Sequence, residues 1–269
     1  MIVAGSFGHR SLFAMVTLLT DFGTADGYVA AVKGVLASRV AGVQIIDATH
    51  DIEPGDIVSA AHAIRRYWNR YPPGTVHLAV VDPGVGSDRR AIAARADDVL
   101  LVAPDNGLIS LVLEDARAST VVELTNRELV PVPASRTFHA RDVFAPAAAH
   151  LLAGRDLRML GPEVSDWVRL PVPAPTVDRT TVSGIVVTID RFGNLQTNIS
   201  ASAVAPGSLV LLDSREIGVI AGTYSDVPSN APVALINSDG FLEIAIRNGS
   251  AARVLEARIG TPVTVLADG

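Results

Sequence analysis

The chain has 269 residues, 49% of them hydrophobic, with a formal net charge of −6 and no cysteine. That is enough apolar material for one large or two modest domains. The missing cysteines exclude disulfides and thiolate metal sites, and the interspersed charges form no basic stripe of the kind a nucleic-acid surface needs.

The apolar stretch Ser11–Leu19, preceded by His9 and Arg10, imitates a short signal-peptide core. It has no small-x-small cleavage site and runs directly into Thr20-Asp21-Phe22-Gly23, so a first strand is expected there. Met15 offers an alternative start, with residues 1–14 then a poorly ordered extension. No apolar run approaches the roughly twenty residues that span a bilayer, and a cytoplasmic protein is expected.

Four strand-like runs end in a carboxylate or a turn: Val16–Leu19 before Asp21, Val43–Ile46 before Asp47, His77–Val81 before Asp82, and Val99–Ala103 before Pro104-Asp105-Asn106-Gly107. Helix-period stretches, Tyr28–Ser38 and Asp56–Tyr67, separate the first three. This alternation predicts an α/β domain with a mostly parallel sheet, in which ligands gather beyond the carboxyl ends of the strands. Asp142–Leu152 reads as a further helix closing the region.

Three prolines in Arg169–Thr181 suit an extended linker. Beyond it, short strands alternate with Gly, Pro, Asn and Asp turns, the texture of a small all-β barrel or sandwich. The predicted organisation is an N-terminal α/β domain over residues 15–172 and a smaller C-terminal β-barrel domain over residues 180–269.

Each motif taken singly has a plain structural reading. GVGSDR (Gly84–Arg89) lacks the third glycine of a dinucleotide loop and the Gly-Lys-Ser/Thr ending of a phosphate loop, so Asp-Pro-Gly reads as a turn. Asp21 reads either as a helix cap or as a carboxylate presented to a ligand such as a ribose diol. His139 stands among Phe138, Arg141, Asp142 and Phe144 at a helix start, either as a structural histidine or as a site residue. Asp190, Asn194, Gln196 and Asn198 line either a plain hairpin or a polar rim.

Taken together and in order, TLLTDFG, IIDATHDIEPGDI, VVDPGVGSDRR, VAPDNGLIS, TFHARDVFAP, DRFGNLQTNI and NSDGFLEIAIRNGSA resemble the S-adenosyl-L-methionine (SAM) hydroxide adenosyltransferases. These are adenosine-forming SAM hydrolases related to the bacterial fluorinase and chlorinase. The resemblance implies an α/β domain followed by a β-barrel, and a homotrimer with active sites where one subunit's first domain meets a neighbour's second. It also implies attack of water-derived oxygen on the ribose 5′-carbon of SAM, giving adenosine and L-methionine, with no cofactor and no metal. SAM is the small-molecule partner; neither nucleic acid nor membrane is implied.

By the same resemblance, Asp82, Arg89 and His139 handle the water and Asp21 holds the ribose hydroxyls. Asp190, Asn194 and Ser238 meet the methionine amino and carboxylate groups, Tyr224 lies against the adenine, and Arg247-Asn248 reads the base edge. Halogenases of the superfamily carry tyrosine at the position of Asp82, so the chain sorts with the hydrolases. It departs from relatives at Gly55, where halogenases have tryptophan, and at Ala140, where many hydrolases have glycine; by the resemblance, the extra methyl is expected to crowd the pocket next to the reacting carbon. The alternatives are a halogenase, a divalent-metal phosphohydrolase built on Asp21, Asp47, Asp82 and Asp105 with His50 or His77, and a non-catalytic SAM or adenosine sensor.

Overall fold

A computed structural model describes residues 14–266. The expected extension over residues 1–14 therefore lies, apart from Ala14, outside the described residues. The chain divides into two compact units, the first ending at Leu170 and the second starting at Pro171.

The first unit carries β1 (Met15–Thr20), α1 (Tyr28–Arg39), β2 (Gln44–Thr49), α2 (Ile57–Tyr67), β3 (Val76–Val80), β4 (Ala91–Ala96), β5 (Val99–Pro104), α3 (Ser110–Asp115), β6 (Ser119–Glu123) and α4 (Ala145–Leu152). Its single sheet has the order β2-β1-β3-β5-β4-β6. Strand β1 pairs in parallel with β2 and β3, and β3 with β5. Strand β4 is antiparallel to both β5 and β6. The sheet is thus mixed, a correction to the expected mostly parallel one. The cause is a hairpin that reverses the chain at Asp97-Asp98, with Asp97 in the left-handed region at φ 48°. Ala91–Ala96 is alanine-rich and has little intrinsic strand preference; two flanking partners hold it in the sheet.

Side chains alternate across the sheet. Val16, Leu18, Val76 and Leu78 pack with Val32 and Leu36 of α1 and Ala147, Ala148 and Leu151 of α4. Leu19, Ala79 and Leu101 pack on the other face with Ala60 and Ile64 of α2 and Val112 and Leu113 of α3. The result is a helix–sheet–helix sandwich whose central strands are buried on both faces, hence their nearly unbroken apolar runs. The chain leaves β1 for one neighbour, β2, and returns across it to the other, β3. This reversal point opens a crevice beyond the strand ends, where Asp21 and Asp82 follow adjacent parallel strands.

The second unit carries β7 (Thr176–Val177), β8 (Thr181–Ile189), β9 (Leu195–Ser200), β10 (Leu209–Leu212), β11 (Arg215–Ala221), β12 (Pro232–Ile236), β13 (Phe241–Ile246), α5 (Ala251–Val254) and β14 (Pro262–Leu266). The sheet order β14-β10-β11-β12-β13-β9-β8 closes on itself through β14–β8, with β7 appended to β8, so it is a barrel and not a sandwich. Closure leaves no free edge among the seven barrel strands. Val186, Leu195, Ile199, Val210, Leu242, Ile244 and Val263 fill its core.

Candidate active site

In the first unit, Asp21, Asp82 and His139 line one cavity of about 680 Å³. Asn106 Nδ2 donates to the Val81 carbonyl at 2.9 Å, which fixes the backbone just before Asp82. The chain then folds through two tight turns, Val85 N–H to Asp82 O at 3.2 Å and Ser87 N–H to Gly84 O at 3.1 Å. Arg89 folds back over this turn, its Cγ 3.5 Å from where a Cβ on Gly84 would stand, an ordinary packing distance.

Arg89 is the hub. Its Nε donates to Asp82 Oδ1 at 2.9 Å and Oδ2 at 3.0 Å, and its Nη2 donates to Oδ2 as well. The same Nη2 donates to His139 Nδ1 at 3.0 Å. The Asp82 and Arg89 side chains are only 6% and 11% exposed, and the guanidinium also lies 5.2 Å from the Phe144 ring centroid. A two-point charge-assisted pair of this kind both neutralises and orients the carboxylate. A guanidinium can only donate, so His139 Nδ1 must accept and its proton sits on Nε2. Burial, and then the positive charge of Arg89, hold the His139 pKa below the ordinary imidazole value, keeping the ring neutral.

His139 caps the helical run, seven residues before a proline. Pro146 has no N–H to give and its ring crowds the preceding turn, so Ala140–Phe144 widens to a π turn before α4. The helical run therefore begins two residues before the expected Asp142. Ala140, 3% exposed, also lines the cavity.

Asp21 Oδ2 accepts from Gly55 N–H at 2.9 Å, which leaves Oδ1 for another partner. Motif reading missed the aromatic wall of the cavity. Phe22, Tyr28 and Phe138 form an edge-to-face cluster with centroids 5.3–6.3 Å apart, and all three line the cavity. The available signal was their place inside the motifs around Asp21 and His139.

The remaining predicted residues lie in the second unit. Asp190 Oδ1 accepts from the backbone N–H groups of Phe192 and Asn194, both at 2.9 Å, and Asn194 Nδ2 lies 3.2 Å from Oδ2; these two residues share one turn. Ser238 is exposed in the turn between β12 and β13. Tyr224, 42% exposed, donates its O–H to Glu243 at 2.6 Å. Arg247 Nη1 is occupied by the carbonyls of Ser225 at 3.2 Å and Val227 at 2.6 Å, and so holds the loop that carries Tyr224. Asn248, left-handed at φ 60°, donates to Ser229 Oγ at 3.2 Å.

Three of the four carboxylates of the metal alternative are spent on separate cations, Asp47 on Lys33 at 2.6 Å, Asp82 on Arg89, and Asp105 on Arg90 at 2.8 Å, while Asp21 accepts from the Gly55 N–H. His50 Nδ1 bonds Thr20 Oγ1, and His77 bonds Thr17 Oγ1 and the Trp68 carbonyl. Among the described residues, no three His, Asp or Glu side chains gather as a metal-ligand set.

A cavity at the reversal point of an α/β sheet, walled by aromatic rings and lined by Asp82 and His139, which Arg89 joins, defines a small-molecule site of polar chemistry. The comparisons specify it. Residues 16–161 match the SAM hydroxide adenosyltransferase N-terminal domain, and residues 184–264 match the C-terminal domain of the same family. The chain belongs to the SAM hydroxide adenosyltransferase family.

It is 42% identical to the (R)-S-adenosyl-L-methionine hydrolase of Salinispora tropica, over 94% of this chain and 97% of that protein. A fluorinase from an Actinoplanes species is 30% identical over 93% of this chain and 97% of that one. The crystal structure of a conserved protein from Thermotoga maritima superposes with a TM-score of 0.86 at 36% identity, covering 94% of this chain and all of that one.

Proposed function

We infer that the chain is an enzyme that hydrolyses SAM to adenosine and L-methionine. The observation that carries this reading is the hydrogen-bonded Asp82–Arg89–His139 set, two of whose members line the cavity, in a chain that belongs to this family. No acid is needed for the leaving group. When water oxygen bonds to the 5′-carbon, the carbon–sulfur bond breaks and its electron pair converts the sulfonium into the neutral thioether of methionine. The difficulty lies in water's weak nucleophilicity and in the in-line approach.

The set divides that work. Arg89 is tied to both partners and does not line the cavity, so it holds the other two in place. His139, with Nδ1 occupied, offers an Nε2 proton that orients the water. Asp82 is the acceptor that takes the water's proton as the carbon–oxygen bond forms and later passes it to solvent. Asp21 binds the ribose hydroxyls through its free oxygen. Asp190, Asn194 and Ser238 bind the amino-acid end, and Tyr224 and the Arg247-Asn248 segment bind the adenine end.

These residues fall on both units, and the reading includes a homotrimer in which first and second units of different copies complete each site. SAM enters as substrate, with no cofactor or metal, in a cytoplasmic protein; among the described residues no helix is long and apolar enough to cross a membrane. Incubating purified protein with SAM and a chelator, then separating the products, tests the reading. Adenosine and methionine are expected; methylthioadenosine, S-adenosylhomocysteine or no product would overturn it.

A further inference from the structure

Glu243 is a carboxylate 6% exposed, in a barrel strand whose neighbouring residues Leu242 and Ile244 fill the core. Alternation puts its side chain on the outer face with Ala245, which clusters with Val233, Leu235 and Val227. Val227 belongs to the crossover between the parallel strands β11 and β12, the segment that also carries Tyr224. Burying a carboxylate costs several kcal/mol unless donors meet it. Two loops supply them: Tyr224 O–H to Oε1 at 2.6 Å, and Asn237 Nδ2 to Oε2 at 3.3 Å.

Asn237 organises the other loop. Its Oδ1 accepts the N–H groups of Asp239 at 3.0 Å and Phe241 at 3.1 Å, and its backbone N–H bonds the Phe241 carbonyl at 2.9 Å. With Oδ1 so engaged, the amide must turn its N–H₂ towards Glu243. Two donors therefore converge on one group, and a carboxylate has an acceptor oxygen for each. An amide at 243 satisfies one and sets its own N–H₂ against the other.

We propose that Glu243 is a positioning residue for substrate binding, setting at once the Tyr224 ring and the turn that presents Ser238. The inference rests on the function proposed above, in which Tyr224 meets the adenine and Ser238 the methionine carboxylate. Neither end of the substrate touches Glu243; the residue acts through the two loops it joins.

The test is calorimetric binding of adenosine and of L-methionine to the full chain, with SAM kinetics alongside. Glu243→Gln is expected to weaken both ligands by roughly 5- to 30-fold and to raise KM for SAM while kcat changes far less. Tyr224→Phe should weaken adenosine and spare methionine, and the double variant should bind adenosine no more weakly than the worse single one. Wild-type affinity for both ligands in Glu243→Gln, or a loss confined to one, overturns the proposal. Should Glu243→Gln fail to fold, Asn237→Asp serves: a second carboxylate against Glu243 is expected to weaken both ligands, and loss of methionine alone refutes the shared role. Wild-type protein that neither binds adenosine nor hydrolyses SAM would remove the underlying function as well; normal wild-type behaviour with unaltered variants removes only the role of Glu243.

Discussion

Arg89 Nη2 donates to Nδ1 of His139 at 3.0 Å, although fifty residues of chain separate the two. A proton arriving on Nδ1 would set two donors against each other, so the ring is held neutral. Its pKa is lowered by burial first and by the Arg89 charge second. Activity that needs this neutral ring is present above that depressed value and lost as pH falls through it. The acid limb of kcat is therefore expected below the usual imidazole range near 6.5. In an NMR titration, Arg89→Ala should raise the His139 pKa, because Asp82 is then left unneutralised beside it; an unchanged value refutes the coupling.

Asp82→Asn keeps the size of the side chain and an acceptor oxygen but removes the proton acceptor. Turnover should fall by roughly two to four orders of magnitude while SAM affinity moves little. Asp21→Asn should do the reverse, weakening binding first. Initial rates with calorimetry on both variants decide the point, and near-normal turnover by Asp82→Asn would reduce Asp82 to a turn residue.

Gly86 carries φ +80°, and a Cβ there would fall 2.6 Å from the Arg136 carbonyl oxygen. Gly42 has a similar φ, +69°, with open space around it. Gly86→Ala is expected to lose about 1–3 kcal/mol of stability and to lower kcat, since it displaces the turn before Arg89 against the segment leading to His139. Gly42→Ala should cost about 1 kcal/mol through backbone strain and leave kcat unchanged. Thermal unfolding and kinetics on the two variants separate backbone strain from displacement of the site.

If each site draws on two copies, an inactive Asp82→Ala protein mixed with an inactive Asp190→Ala protein should regain activity through hybrid assemblies. Subunit exchange is monitored by labelled chains in the same mixture. Exchange without recovery would show that one copy supplies both sets of residues.

His77 is fully buried, its Nδ1 accepting from Thr17 Oγ1 at 2.8 Å and its Nε2 donating to the Trp68 carbonyl at 3.0 Å. Burial lowers its pKa from 6.5 to about 4. Below pH 6.5 the unfolded chain takes up a proton that the folded one refuses, so stability falls with pH until about 4, by about 3 kcal/mol in all. Urea unfolding at stepped pH should show this slope. His77→Gln, though less stable, should lose most of this contribution; an unchanged slope would assign it to other groups.

Local pattern alone marked the strands that lead into Asp21 and Asp82, the helices between the first strands, and the change to short β strands after the proline-rich stretch; the second strand, expected to stop before Asp47, instead runs through it to Thr49, paired with β1. The features so marked follow from side-chain period and turn chemistry within a few residues, which a sequence displays directly. The motif set also carried the family. The antiparallel β4, the closure of β14 on β8, the aromatic wall and the meeting of Arg89 with His139 were decided only by the tertiary structure. Glu243 is the sharpest case: alternation with Leu242 and Ile244 turns it away from the barrel core, and there the Tyr224 crossover and the Asn237 turn meet it. Period reports which face a side chain takes; what lies against that face is chosen by segments far away in the chain, through pairing and burial that no local pattern encodes.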